Sequence, residues 1–177
     1  LEQVAQVAQA AADAVGSMGV ALRSCNLPGQ PREERIAAGK MELGLGIHGE
    51  PGAFTTAISL ADDVVAQLIQ FIAKSGYLTL AQGGMVGLMI NNLGSSTGIE
   101  LSVATRAAVR MLEGPVYGLT VARVFVGSFM TALDMTGISL SILKLTPNML
   151  DLLDAPTTAA PWPRSSEIAR GGVVPAP

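Results

Sequence analysis

Apolar positions change their period several times along the chain, and each change predicts an element. Val4, Val7, Ala8 and Ala11 recur three and four apart, the narrow stripe of a helix, and Gly16 stands where a glycine would end a helix running from Leu1 to Val15. Met18 to Ser24 follows as a short strand, and Asn26 to Gly39, with Pro28, Pro31 and the run Arg32-Glu33-Glu34-Arg35, as a solvated loop. From Met41 to His48 the pattern alternates, with Leu43, Leu45 and Ile47 on one face of a strand and Gly44, Gly46 and His48 on the other. One face is core. The other is bare up to the imidazole, as where a second backbone or a ligand comes close. Glu50-Pro51-Gly52 predicts a type II turn, with Pro51 preset for its second position and Gly52 free to take a positive φ at its third.

Ser59 and Asp62 stand in the S-x-x-D relation of a helix start, Leu60, Val64, Leu68 and Ile72 follow at helical spacing, and Gly76 ends that helix. Met85 to Ile90 is a short apolar run without alternation, the pattern of a buried central strand. Thr97 with Glu100 forms a capping box opening a helix that ends at Gly114-Pro115. Val121 to Met130 predicts a long strand, and Ile138, Leu140 and Ile142 alternate with Ser139 and Ser141 in another. The link Leu133 to Gly137 is too short for a crossover helix, which predicts that these two strands form an antiparallel hairpin. Thr146-Pro147 opens a last helix through Leu153. The order predicts an α+β fold, a layered sandwich of a mixed β-sheet with helices packed on it.

Composition narrows the class. Of 177 residues 49% are hydrophobic and 14% charged, enough for one sizeable core. No apolar run approaches the roughly 18 residues that span a bilayer, so no membrane is expected. A net charge of -3, with 11 scattered Lys and Arg, argues against nucleic acid. The single Cys25 excludes an internal disulfide and, with no signal peptide at the start, predicts a cytoplasmic setting. A first residue of Leu, inside a helix already under way, predicts a piece of a longer chain. Residues 1–160 are expected to form the folded unit, and 161–177, rich in Pro and Gly, a linker.

His48 is the chain's only histidine and the first candidate for chemistry. It is either a hydrogen-bonded structural residue or, as a neutral imidazole, a base or nucleophile. A metal is not expected, because one His and one Cys make no zinc site. Asn91 and Asn92 lie where a strand meets a helix, a common ligand position in α/β proteins, and serve equally well as turn formers there. Asp134 is the best carboxylate candidate for a site, with an Asx turn in the hairpin as its plainer role. Arg32 and Arg35 could recruit phosphate, but Glu33 and Glu34 between them cancel the field. No Walker-type loop or G-x-G-x-x-G is present.

Gly46-Ile47-His48-Gly49-Glu50-Pro51-Gly52, Asn91-Asn92-Leu93-Gly94, Leu133-Asp134-Met135-Thr136-Gly137 and Leu153-Asp154-Ala155-Pro156 occur in the same order and at similar spacing in the dihydroxyacetone (glycerone) kinase family. The chain resembles the C-terminal half of that family's substrate-binding K domain. The resemblance implies that His48 bonds to the ketone carbon of dihydroxyacetone, or the carbonyl of glyceraldehyde, as a hemiaminal. It also implies a missing N-terminal half of the K domain, a nucleotide-binding L domain beyond the linker that holds ATP and Mg2+, and a homodimer. A fragment without those parts is expected to be inactive. Two other roles stay open, a non-enzymatic dimerisation or coregulator module and part of a bifunctional triokinase/FMN cyclase.

Overall fold

The computed structural model describes residues 1–31, 35–48, 50–159 and 162, together with the strand at 166–167. In chain order these form α1 (Glu2–Asp13), β1 (Val15–Arg23), β2 (Lys40–Leu43), β3 (Phe54–Ala57), α2 (Ala61–Lys74), β4 (Met85–Asn92), α3 (Gly98–Glu113), β5 (Thr120–Gly127), β6 (Thr136–Leu145), α4 (Pro147–Asp154) and β7 (Ser166–Glu167). The strands make one sheet in the order β3-β2-β1-β6-β4-β5-β7. Only β4 and β5 are parallel, and the other neighbours are antiparallel. This is the mixed sheet of the expected α+β sandwich.

β4 sits between β6 and β5, and an apolar run without alternation is what a strand with neighbours on both sides and cover on both faces requires. Its Val86, Leu88 and Ile90 face α2 and α3. There Val65, Leu68, Ile69 and Ile72 of α2, and Leu101, Ala104, Ala108 and Leu112 of α3, meet Val20, Leu43, Leu140 and Ile142 of the sheet in the main core. Each fully buried Leu or Ile stabilises the fold by about 1.5–3 kcal/mol. α3 starts as its sequence predicts: Thr97 Oγ1 accepts from the Glu100 N–H, and the Glu100 carboxylate accepts from the Thr97 N–H. Thr146 caps α4 with its side chain alone, Oγ1 accepting from the Met149 N–H, and Pro147 lies in the first turn. No helix among the described residues is long and apolar enough to cross a membrane.

Several expectations are corrected. Gly16 lies inside β1 rather than at a helix end, because α1 stops at Asp13 and the sheet claims Val15 onward. The stripe on α1 is real but uncovered, with Val4 69% exposed. The strand expected from Met41 to His48 ends at Leu43, since Gly44 takes φ +79° and turns the chain away. Glu50-Pro51-Gly52 is not a type II turn, and Gly52 is not among the glycines with positive φ. The returning chain instead forms β3, a strand the sequence did not announce, paired with β2. α2 is capped by Leu60 with no side-chain bond, so Ser59 does not serve, whereas Gly76 ends the helix at φ +76° as expected.

The largest correction concerns β5 and β6. They do not form a hairpin, because β4 lies between them and pairs with both. Residues 128–135 are too few for a helical crossover but enough to step over the end of a single strand. The linker expected at 161–177 falls almost wholly outside the described residues; of it, Trp162 packs on Phe125 and β7 pairs with β5.

Candidate functional site

A second, smaller core lies beneath the loops at one end of the sheet. Ala21, Ile36, Leu45, Leu93 and Met135 form it, with Cys25, Ile47 and Ala132 packed against it. The alternation of Leu45 and Ile47 is therefore realised in burial although no strand continues there. These two residues fasten the loop that carries His48 to the ends of β1, β4 and β6.

His48 stands at the tip of that loop with its side chain 81% exposed. Its N–H donates to Glu50 Oε2 at 3.0 Å, and its ring Nδ1 lies 3.2 Å from Glu50 Oε1. A carboxylate can only accept, so a neutral ring makes this contact as the tautomer with its proton on Nδ1 and its lone pair on Nε2. Gly46 makes the arrangement possible, since a Cβ there would meet Glu50 Oε2 at 2.1 Å. The Gly46 N–H also donates to the Glu50 carbonyl at 3.2 Å, closing the loop upon itself. Glu50's own backbone N–H, then the ring and N–H of His48, hold its carboxyl below the usual carboxylate range. Burial does not explain this histidine. His48 is hydrogen-bonded, as its plainer structural role requires, but the partner is an exposed glutamate.

The imidazole borders an open cavity of about 880 Å³, whose walls include Cys25, Asn26, Gln30, Arg35, Thr131 and Leu133. That is far more room than a three-carbon molecule fills.

Asp134 is next to this wall but does not make an Asx turn. Its Oδ1 accepts from the Asn26 N–H at 2.7 Å and its Oδ2 from the Asn26 side-chain amide at 3.1 Å. It joins the crossover loop to the loop after β1. The Asn26 N–H, followed by the Asn26 amide, Cys25 and Arg23, keeps its carboxyl below the ordinary value. Asn91, 3% exposed, accepts from the N–H groups of Phe129 and Met130 and donates to Met130 O and Ser139 Oγ. All four of its hydrogen-bonding positions are used to seat the chain that steps over β4. Asn92 likewise accepts from the Gly94 and Ser96 N–H groups and donates to Ser96 O. Apart from the Asn91 bond to Ser139 Oγ, both asparagines are committed to backbone, so the turn-forming role is the one the structure gives them. Arg35 pairs with Glu42 at 2.9 Å, and Arg32 lies outside the described residues.

Glu50 and Glu42 went unnoticed as candidates. The signal for Glu50 was available in the His-x-Glu spacing beside a bare Gly46. For Glu42 there was none, because a glutamate in a strand gives no sign of which loop will fold back onto it. Among the described residues no group of three or more His, Cys, Asp or Glu could hold a metal ion.

The Dak1 domain family matches residues 1–161. The human triokinase/FMN cyclase is 39% identical over 97% of this chain and 30% of its own length. A dihydroxyacetone kinase from C. freundii, solved with AMP-PNP and Mg2+, superposes with TM-score 0.82 at 31% identity, over 99% of this chain and 32% of that one. The dihydroxyacetone kinase operon co-activator DhaQ superposes with TM-score 0.83 at 30% identity, over 92% of this chain and 50% of that one. The chain thus spans half or less of the length of these relatives. The motifs around His48, Asn91 and Asp134, the mixed sheet that carries them and the family match agree, and the chain belongs to the Dak1 domain family of dihydroxyacetone kinases.

Proposed function

We propose that this chain is the substrate-holding part of a dihydroxyacetone kinase and that His48 anchors the triose covalently for phosphoryl transfer from ATP and Mg2+ bound on another domain. The observation that carries this is the exposed imidazole at a cavity with Nδ1 3.2 Å from Glu50 Oε1, and in this reading Nε2 is the nucleophile. The Nε2 lone pair adds to the carbonyl carbon, and the π pair moves to oxygen, which takes up a proton from water. The ring's Nδ1 proton passes by way of Glu50 to the hydroxide so formed, restoring the water and the carboxylate, and the product is a neutral hemiaminal. A polyol without a carbonyl has no such bond to form, which gives the site its selection. The anchor holds a small molecule that the wide cavity would otherwise bind loosely, leaving its terminal hydroxyl to be oriented for transfer.

In this reading residues 1–160 are the C-terminal part of a K domain and 161–177 lead toward a nucleotide-bearing domain. The rest of the K domain supplies the base and the remaining substrate contacts, and a second copy completes a homodimer. The 177 residues alone are then inactive as a kinase. Turnover of dihydroxyacetone with ATP and Mg2+ by the isolated piece would contradict that.

Native mass spectrometry of the complete protein with dihydroxyacetone tests the anchor. Wild type is expected to show the adduct and His48→Ala to lack it, with discrimination against glycerol reduced. An undiminished adduct in folded His48→Ala sinks the proposal. The likeness to a co-activator supports a second reading, a non-enzymatic module that binds the triose as a signal. It predicts the same adduct with no turnover in the complete assembly.

A further inference from the structure

Buried carboxylates are costly unless paired, and β2 carries one whose partners lie on two different loops. Glu42 is 7% exposed, between Met41 and Leu43, which are wholly buried in the main core. Its Oε1 accepts from the Gly52 N–H at 2.5 Å and from Arg35 at 2.9 Å. Gly52 is the residue at which the His48 loop returns to the sheet. A Cβ there would come within 2.5 Å of Leu43 O and 2.7 Å of Glu42 Cγ, so its bare backbone is pressed onto β2. The next residue continues the closure, with the Ala53 N–H donating to Leu43 O at 2.7 Å, and the β2–β3 pairing follows from Leu43 and Phe54.

The opposite stem of the loop leaves β2 at Gly44, whose φ of +79° brings its position within 3.2 Å of Ala53 N were a Cβ present. The loop is therefore closed at its base by few contacts. Among the described residues the side-chain hydrogen bond at that base is made by Glu42. Among the described residues, the tip where His48 and Glu50 meet is held by its own internal bonds and by the apolar contacts of Leu45 and Ile47.

We propose that Glu42 is the positioning residue of the His48 loop: by accepting the Gly52 N–H from within the core it sets where the loop returns, and so where the imidazole stands over the cavity. This rests on His48 being the covalent anchor. Glu42 touches no substrate and moves no proton. Its effect is on how often Nε2 meets the carbonyl carbon in line, the kind of orientation that displacement by about an ångström disturbs strongly. Because both bonds converge on the single atom Oε1, an amide oxygen can replace it, and the charge itself is not required.

The test measures the dihydroxyacetone concentration that half-saturates the adduct in the complete protein, together with KM for dihydroxyacetone and for ATP. Glu42→Met fills the same space without an acceptor and is expected to raise the half-saturating concentration at least tenfold, with KM for ATP unchanged. Glu42→Gln is expected to stay within threefold of wild type. Should Glu42→Met fail to fold, Glu42→Asp replaces it. That variant keeps a charge for Arg35 but draws the oxygen back from Gly52, and the same tenfold rise is expected. An unchanged adduct in folded Glu42→Met or Glu42→Asp, or a tenfold loss in folded Glu42→Gln, overturns the role. Peptide mapping separates the two claims. A wild-type adduct absent from His48 brings down the anchor and Glu42 with it, whereas a mapped adduct that is indifferent to Glu42 brings down Glu42 alone.

Discussion

The helix-backed face of the sheet and the loop layer at its end are held together by different forces. Beneath α2 and α3, Leu68, Leu88, Leu140 and Ile142 are wholly buried and make their contribution by removing apolar surface from water. In the loop layer, single polar side chains reach across to backbone groups: Asn91 to residues 129 and 130, Asp134 to Asn26, Glu42 to Gly52 and Glu50 to His48. Packing is non-directional and shared by many partners, so that face fixes the fold. Hydrogen bonds are directional and few, so the loop layer fixes where the imidazole stands.

The largest break in this contrast comes from the packed face. Leu88→Ala removes three buried heavy atoms from the main core, and a loss of about 2–5 kcal/mol is expected, since the rigid sheet cannot collapse onto the cavity. Urea unfolding of the complete protein measures it, and a loss under 1 kcal/mol would show that β4 is not the centre of the core.

Asn91→Ala comes next. It leaves the N–H groups of Phe129 and Met130 without their acceptor, for which about 1–3 kcal/mol is expected. The loss should appear with the Leu133 wall of the cavity disturbed as well, read as a weaker dihydroxyacetone adduct. A variant as stable as wild type and with a normal adduct would mean that water replaces the amide at no cost.

How much of this was legible in the sequence follows the same division. Helices α2 and α3, strand β4, the capping box at Thr97 and the cap at Thr146 could be read because periodicity and caps are local. The hairpin expected of β5 and β6 failed because strand order is a long-range property, and two strands joined by a short link need not be neighbours. β3 was missed because Phe54–Ala57 is a four-residue edge strand, largely exposed, and leaves no period to detect. His48 was found from its uniqueness and its motif. Its partner Glu50 was not, and the role of Asp134 lay with Asn26, 108 residues away, rather than in its own turn.

Asp134→Asn sharpens the comparison by pH. The folded carboxyl titrates below its ordinary value of 3.8, so its charged form stabilises the protein above that value, and the benefit is lost as pH falls through the lowered one. Asparagine retains an acceptor for the Asn26 N–H but not the charge. The variant is therefore expected to melt below wild type at neutral pH, by less than Asn91→Ala, and the gap should close as pH falls below 3.8. A gap that is constant with pH, seen in paired thermal melts, would show that the charge on Asp134 adds nothing.

The smallest effect on stability is expected at the residue with the largest expected effect on chemistry. His48 has its side chain in water, its ring touches only the exposed Glu50, and its N–H bond to Glu50 is made by backbone that an alanine also has. Truncating it removes no core contact and strands no buried group, so His48→Ala should shift unfolding free energy by no more than about 0.5 kcal/mol, as surface changes do. Glu50 keeps the N–H donors that lower its pKa but loses the ring, so its carboxyl should move up toward the ordinary range, and the acid limb of stability should shift to slightly higher pH. Chemical denaturation at neutral pH and at pH 4 reads both effects. A loss of 2 kcal/mol or more at neutral pH would place His48 with the packed face instead of the loop layer, and the case for an imidazole held free for chemistry would lose its physical basis.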